Sequence, residues 1–509
     1  MKIAKMAMAA AVCALLAGSN AQAQQLAPPA QGRMAAYNKY YAQEPSSPSD
    51  NREFDDRANE KATENTVGGM VAPQAVQLAE EDEGVSCYSE TYEPVRLFGR
   101  TRFEKKWGIQ NIGWIAQSYT QNFYSPTDRF NGPVTWTDRS NDYQLNEFYN
   151  ILKRDVDNGG EGWDWGFRWD TQYGTSSRFN TSAGFEDKFA SNINHAFYNV
   201  AMPSANIVAA YNDLKVTMGR FISPVGFYSI GTYNNFFNTL PYTFQYGEPF
   251  THTGFLAQYQ VTDDLNLGAG LTRGWDNTGN FNPNGGYIGT LTRNNNLKEG
   301  DSVAFVQVMS NEPSAVGRDP TLPIAAGPSA TAPFTGQYNP PGFSFRYLQT
   351  FVYSRPLTEK LTWILQSDFG HQTNAFGDGR AALWYGVNQY WYYKVNNCWS
   401  WGLNFEWFRD EEGFRVGGFL PDFYQAQQGS LIRGLSTGRS GYAGNFFQTT
   451  FGPRWTPNPN LVIRPNMRWD WYQGAVNNAN GPNGSPAAPY GDGRHYQQGI
   501  LGTDVIVVY

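Results

Sequence analysis

The sequence predicts an all-β fold, a transmembrane antiparallel β-barrel of about 16 strands behind a disordered N-terminal leader. Two features carry this expectation: segments whose alternate residues differ sharply in polarity, and a regular succession of short and long connections between them. From 163 to 173 the aromatic residues Trp163, Trp165, Phe167, Trp169 and Tyr173 alternate with Asp164, Gly166, Arg168, Asp170 and Gln172. Side chains alternate across a strand, so one face is oily and the other polar. In a soluble sheet the oily face would meet a core. In a membrane barrel it meets lipid, and the charges face the interior.

The first residues read as a secretory signal over 1–23, with Lys2 and Lys5, an apolar run from Met6 to Ala17 and a small-residue cleavage site at Ala21-Gln22-Ala23. No later stretch supplies the run of about 18 apolar residues that a membrane helix needs. Residues 24–94 differ in composition. They hold several prolines, the acidic run Glu80 to Glu83, and 5 Lys and Arg against 13 Asp and Glu, and they read as a disordered acidic periplasmic leader. The expected barrel, 95–509, is close to neutral, which gives no strong ion preference and no expectation of a nucleic-acid partner. Beyond the signal only Cys87 and Cys398 remain. An oxidising compartment suggests one disulfide between them, with two free thiols the alternative. His195, His252, His371 and His495 are too scattered for a metal motif, so no metal and no cofactor are expected.

The alternation recurs in order along the chain. It is seen at Leu265, Leu267, Ala269 and Leu271; at Leu361, Trp363, Leu365 and Phe369, opposed by Gln366 and Asp368; at Trp399, Trp401, Leu403, Phe405 and Trp407, opposed by Glu406; and at Leu461, Ile463, Met467, Trp469 and Trp471, opposed by Arg464, Arg468 and Asp470. Half-polar strands account for a mean hydropathy of −0.53. A soluble sandwich or propeller would also alternate. Aromatic abundance, with 16 Trp and 31 Tyr, favours the barrel, whose interfaces carry aromatic girdles.

Bacterial barrels have short periplasmic turns and longer external loops. Short links at 262–264, 294–300, 355–360, 394–398 and 455–460 alternate with longer ones at 276–285, 310–342, 371–380, 409–442 and 473–497. This spacing predicts strands at 107–123, 143–154, 163–174, 193–202, 213–221, 251–261, 265–275, 286–293, 301–310, 343–354, 361–370, 381–393, 399–408, 443–454, 461–472 and 497–509. The strands at 143–154 and 193–202 carry the weakest pattern, so fourteen or eighteen strands stay open.

A barrel of sixteen strands is too wide for wall side chains to fill. The connection 222–250 holds Phe227, Tyr228, Tyr233, Phe236, Phe237, Tyr242, Phe244 and Tyr246, too many aromatic residues for an exposed loop. Folding into the barrel would bury them, and packing over its mouth or into a subunit interface is the alternative. Glu248 is the charged member of this expected constriction loop.

The segments Val216 to Phe221, Ser223-Pro224-Val225-Gly226, Tyr242-Thr243-Phe244, His252-Thr253-Gly254 and Gly274 to Asn277, in that order, resemble the OmpL-like outer-membrane β-barrel porin family. The resemblance covers roughly the barrel region and not the leader. It implies an outer-membrane pore for small solutes, fixes no substrate and supplies no catalytic residues. Leu501, Thr503, Val505, Val507 and Tyr509 also look like the terminal assembly signal of such barrels.

The expected function is a bacterial outer-membrane porin, a diffusion channel for passive transport of small hydrophilic solutes. Arg168, Asp170, Asp368, Glu406, Arg464, Arg468 and Asp470 are expected to line its polar lumen. Its expected partners are outer-membrane lipid and those solutes, with a homo-oligomer allowed. A closed-barrel adhesin or structural protein acting through its long loops is the rival. An outer-membrane enzyme would need one of the histidines as base, and no spacing favours one, so no catalysis is expected.

Overall fold

The computed structural model describes residues 102–127, 129–182, 185–186, 198–279, 285–313, 343–375, 379–416, 442–474, 488–491 and 493–509. The expected signal, the leader with Cys87, His195 and much of the three long connections 310–342, 409–442 and 473–497 lie outside them. No helix among the described residues is long and apolar enough to cross a membrane. The crossing elements are strands.

A short helix, α1 (Arg102–Trp107), precedes sixteen strands. These are β1 (Gln110–Asn122), β2 (Asp142–Arg154), β3 (Trp163–Gly174), β4 (Asn199–Tyr211), β5 (Leu214–Ile222), β6 (Thr251–Gln260), β7 (Leu265–Thr272), β8 (Gly286–Asn294), β9 (Ser302–Pro313), β10 (Phe343–Pro356), β11 (Leu361–Gln372), β12 (Ala382–Lys394), β13 (Trp399–Asp410), β14 (Gly444–Asn458), β15 (Leu461–Gln473) and β16 (Gln497–Val508). Each pairs antiparallel with its sequence neighbours, and β1 pairs with β16 from Trp114↔Val508 to Asn122↔Ile500. The sheet is therefore closed and leaves no unpaired edge in the membrane, where an exposed N–H or C=O would find no partner.

The strand count agrees with the sequence, and so do most boundaries. Two positions differ. The expected start at 107 falls in α1, which ends where Gly108 takes a left-handed φ of +68°. The fourth strand runs 199–211 and not 193–202. Its residues are small and mixed, Ala201, Ser204, Ala205, Ala209 and Ala210 among them, so no aromatic stripe marks it. The β3/β4 register also shifts between Asp170↔Ser204 and Gln172↔Ala201, which places Pro203 in the irregularity. Proline has no N–H for a ladder and belongs at such a site. Asn212, with φ of +51°, and Asp213 then turn the chain into β5.

The two faces have the polarity expected of a membrane barrel. Trp165 and Trp401 are 51% and 40% exposed on the outside, whereas Asp170 and Glu406 are fully buried on the inside. Met467, at the centre of β15, is 42% exposed between inward Asn466 and Arg468. A charge on the lipid face at mid-membrane costs about 2–4 kcal/mol. Met467→Arg should therefore destabilise the barrel in vesicles by that amount in a urea titration followed by tryptophan fluorescence. An unchanged midpoint would place Met467 away from lipid.

Candidate functional site

The connection 223–250, here called L3, is the third of the long connections and joins β5 to β6. Nearly all of its residues are buried. Phe237 and Tyr242 are completely so, Phe227, Tyr228 and Phe236 nearly so, and Tyr233 partly. Their partners are inward side chains of the wall and residues of the two preceding long connections. One cluster joins Phe227, Tyr228, Phe236, Phe237 and Phe244 to Trp136, Phe179, Val352, Ile364, Tyr390 and Tyr392. Phe236 stacks on Tyr392 at 4.6 Å between centroids, and Phe227 lies 4.8 Å from Tyr390. Tyr233 stacks on Trp114 at 5.7 Å, and Tyr242 meets Phe446 at 5.1 Å. The wall makes room for these rings. A Cβ at Gly402 would lie 2.4 Å from the Phe236 ring, and one at Gly386 would lie 2.7 Å from Thr243 Oγ1.

A buried loop backbone must find partners for its amides and carbonyls, because each one left unpaired is costly. Wall side chains supply them. Glu147 of β2 accepts from Thr232 N at 3.0 Å, Thr232 Oγ1 at 2.6 Å and the Trp114 indole at 2.7 Å. Glu406 of β13 does the same further along, accepting from Tyr242 N and Thr243 N at 2.6 Å each and from Thr243 Oγ1 at 2.7 Å. Asn388 of β12 donates to that same hydroxyl at 2.9 Å. Phe227 N donates to Gln366 of β11 at 2.9 Å.

The carbonyls are met by guanidinium groups. Arg464 donates to Thr232 O at 3.0 Å and Asn235 O at 2.5 Å while its other nitrogens pair with Asp504. Arg468 donates to Leu240 O at 2.6 Å and Thr239 Oγ1 at 2.8 Å, and its Nε pairs with Asp470 at 2.8 Å. Arg454 of β14 also reaches Asn235 O at 2.9 Å. Each of Arg464 and Arg468 thus has one side neutralised by a wall carboxylate and one side on the loop. Glu248 closes the far end, where Gln366 Nε2 donates to it at 2.6 Å and to Asp368 at 2.8 Å. Burial, followed by the neighbouring Asp368 carboxyl, holds the Glu248 pKa well above the ordinary carboxylate range.

All seven residues expected to line the lumen point inward. The structure brings Asp368, Glu406, Arg464, Arg468 and Asp470 together around L3, each at most 2% exposed. Arg168 and Asp170 pair with each other on β3 at 2.8 Å, and Tyr149 donates to Asp170 at 2.7 Å. Arg168 alone of the seven keeps notable side-chain exposure, 18%. Cys398 is buried and disulfide-bonded, and Cys87 lies outside the described residues. His252 has Nε2 3.1 Å from Ser223 Oγ and Nδ1 3.2 Å from Gly274 O, a buried pair at the root of L3. His495 stacks on Tyr124 at 3.8 Å.

Sequence reading placed Gln366 on the polar face without a role and missed Glu147, Asn388, Arg454, Tyr390 and Tyr392. A signal existed for the last two. The run Tyr390-Trp391-Tyr392-Tyr393 breaks the alternation, and a strand apolar on both faces is one covered on both faces. The others look like any polar inward residue.

A closed sixteen-stranded sheet with an oily outside, a polar inside and a long loop fastened to its inner wall is the architecture of an outer-membrane porin. The family model described as "Putative beta-barrel porin-2, OmpL-like" matches residues 108–508, and the chain belongs to that family. Its location is the bacterial outer membrane. No curated protein sequence matches the chain. Among solved structures, it is similar to the outer-membrane channel DcaP of Acinetobacter baumannii, with 9% identity over 79% of this chain and 97% of that one and a TM-score of 0.46. OprB of Pseudomonas putida gives 11% identity over 81% and 97%, with a TM-score of 0.48. An anion-selective porin from Comamonas acidovorans gives 11% over 79% and 99%, with a TM-score of 0.45.

Removing a buried acceptor strands its donors. Glu406→Ala leaves Tyr242 N and Thr243 N without their partner, which should cost about 2 kcal/mol of loop docking. Hydrogen exchange across 240–248 should accelerate about 30-fold while the wall strands stay protected. Equal protection in the variant would mean the carboxylate does not hold the loop.

Proposed function

We propose that this outer-membrane channel passes small hydrophilic solutes by passive diffusion and that L3 sets its effective width. The observation that carries the reading is the attachment of L3 backbone to side chains of β2, β11, β12, β13, β14 and β15. A segment so fastened takes up cross-section that a bare barrel of this circumference would leave to water. Several inward charges are paired, Arg168 with Asp170, Arg464 with Asp504 and Arg468 with Asp470, and these pairs create local transverse fields. Transport needs no cofactor and no catalytic group, and the buried Ser223 and His252 pair is assigned no chemistry.

Deleting 233–242 should raise single-channel conductance in planar bilayers and admit larger solutes in liposome swelling. Strand pairing does not depend on this tip, so the folded form should still migrate differently before and after boiling. Unchanged conductance in the folded deletion variant would show that filtering occurs elsewhere.

We also propose that Cys398, in the short turn between β12 and β13, pairs with Cys87 and ties the end of the leader to the periplasmic rim. Cys87→Ser should expose one titratable thiol in denatured, unreduced protein, where the parent chain shows none from these two residues. Two thiols in the parent would exclude the bond.

A further inference from the structure

The tip of L3 does not meet the wall everywhere. Between it and the strands β1, β15 and β16 is a gap lined by Ser118, Asn238, Thr239, Asn466, Arg468 and Gly502, with Thr120, Thr137, Ile500 and Thr503 around it. The centre of a water-sized sphere can move within about 10 Å³ there, which is room for one oxygen-sized group. Asn466 and Gly502 are only half-buried, so the gap is not fully enclosed.

Four polar atoms of this lining make no hydrogen bond within the protein, namely Ser118 Oγ, Asn238 Nδ2, Asn238 Oδ1 and Arg468 Nη2. The three residues are 5%, 2% and 1% exposed. Four such atoms, on three separate elements whose residues line one gap, are a candidate set of donors and an acceptor, because buried polar groups are ordinarily paired. Charge then limits what fits. The lining has no carboxylate, and its one cation, Arg468, is already matched by Asp470 at 2.8 Å, so an anion would enter without a net opposite charge to meet it. A hydroxyl group suits both halves of the set. It accepts from Arg468 Nη2 or Asn238 Nδ2 and donates to Asn238 Oδ1.

We propose that the gap between the L3 tip and β1, β15 and β16 is a subsite for one hydroxyl group of an uncharged polyhydroxy solute. It rests on the reading of L3 as the element solutes pass. Water has the same hydrogen-bonding chemistry, and the test separates the two. Glucose is the probe, titrated against the full chain folded in detergent and followed by saturation-transfer NMR.

Saturable glucose binding is expected in the parent protein. Asn238→Ala combined with Ser118→Ala removes three of the four atoms and should weaken it about tenfold. Gly502→Ala keeps every polar group, and its new Cβ would lie 3.2 Å from Asn466 Oδ1, so it should weaken binding by narrowing the gap. Heat-dependent gel mobility confirms that each variant is folded. Absence of saturable glucose binding in the parent would leave water as the only occupant and overturn the proposal. So would equal binding in parent and folded variants, or displacement of glucose by chloride at constant ionic strength. Conductance is read separately. A protein that binds glucose at this gap but does not conduct would overturn the diffusion reading and leave the subsite standing, and one that conducts without binding would do the reverse.

Discussion

The requirement that buried backbone be hydrogen-bonded governs the inside of this barrel. L3 brings a run of amides and carbonyls into a space where much of the neighbouring surface is aromatic, and each unpaired group there would cost about 1–3 kcal/mol. Regular secondary structure meets few of these needs, since L3 holds only short helical turns at Thr232–Asn234 and Thr243–Gly247. Wall side chains do the rest. Two glutamates each grip a threonine, Glu147 on Thr232 and Glu406 on Thr243, by amide and hydroxyl together. The inward charges are thus part of the loop's hydrogen-bonding scheme as well as of the polar interior.

That double use accounts for the wall carboxylates beside Arg464 and Arg468. A guanidinium donating only to carbonyls would leave a charge buried without a counter-ion, and a lone carboxylate accepting only amides would do likewise. Asp504 beside Arg464 and Asp470 beside Arg468 remove the first problem. Arg464 and Arg468 also stand near Glu147 and Glu406 through the loop residues they share, Thr232 for one pair and the 239–243 stretch for the other.

The sequence made the wall legible because its period is two. Asp170, Glu406, Arg464, Arg468 and Asp470 could each be set inward from their aromatic neighbours alone, and the aromatic load of 222–250 was enough to require its burial. β4 was less legible, because small residues and Pro203 leave no stripe to read. The anchors Glu147 and Asn388 were not legible at all, and Gln366 was legible only as an inward polar residue. Their role depends on which loop atom faces them, and that is a fact of three-dimensional register with no trace in local alternation. The run Tyr390 to Tyr393 lay between these cases, visible as an anomaly but without a partner until Phe227 and Phe236 were placed against it.

Sequence distance adds a consequence for assembly. The groups that hold L3 run from Trp114 and Glu147 on one side to Arg464 and Arg468 on the other, and β1 meets β16 only when the sheet closes. Contacts between residues so far apart carry a closure entropy that pairing of adjacent strands does not. Before closure, L3 has hydrophobic side chains and an unpaired backbone but only part of its set of partners. Its final position is therefore fixed by the completed wall, and the wall, whose ladders run strand to strand without L3, does not need the loop in order to close.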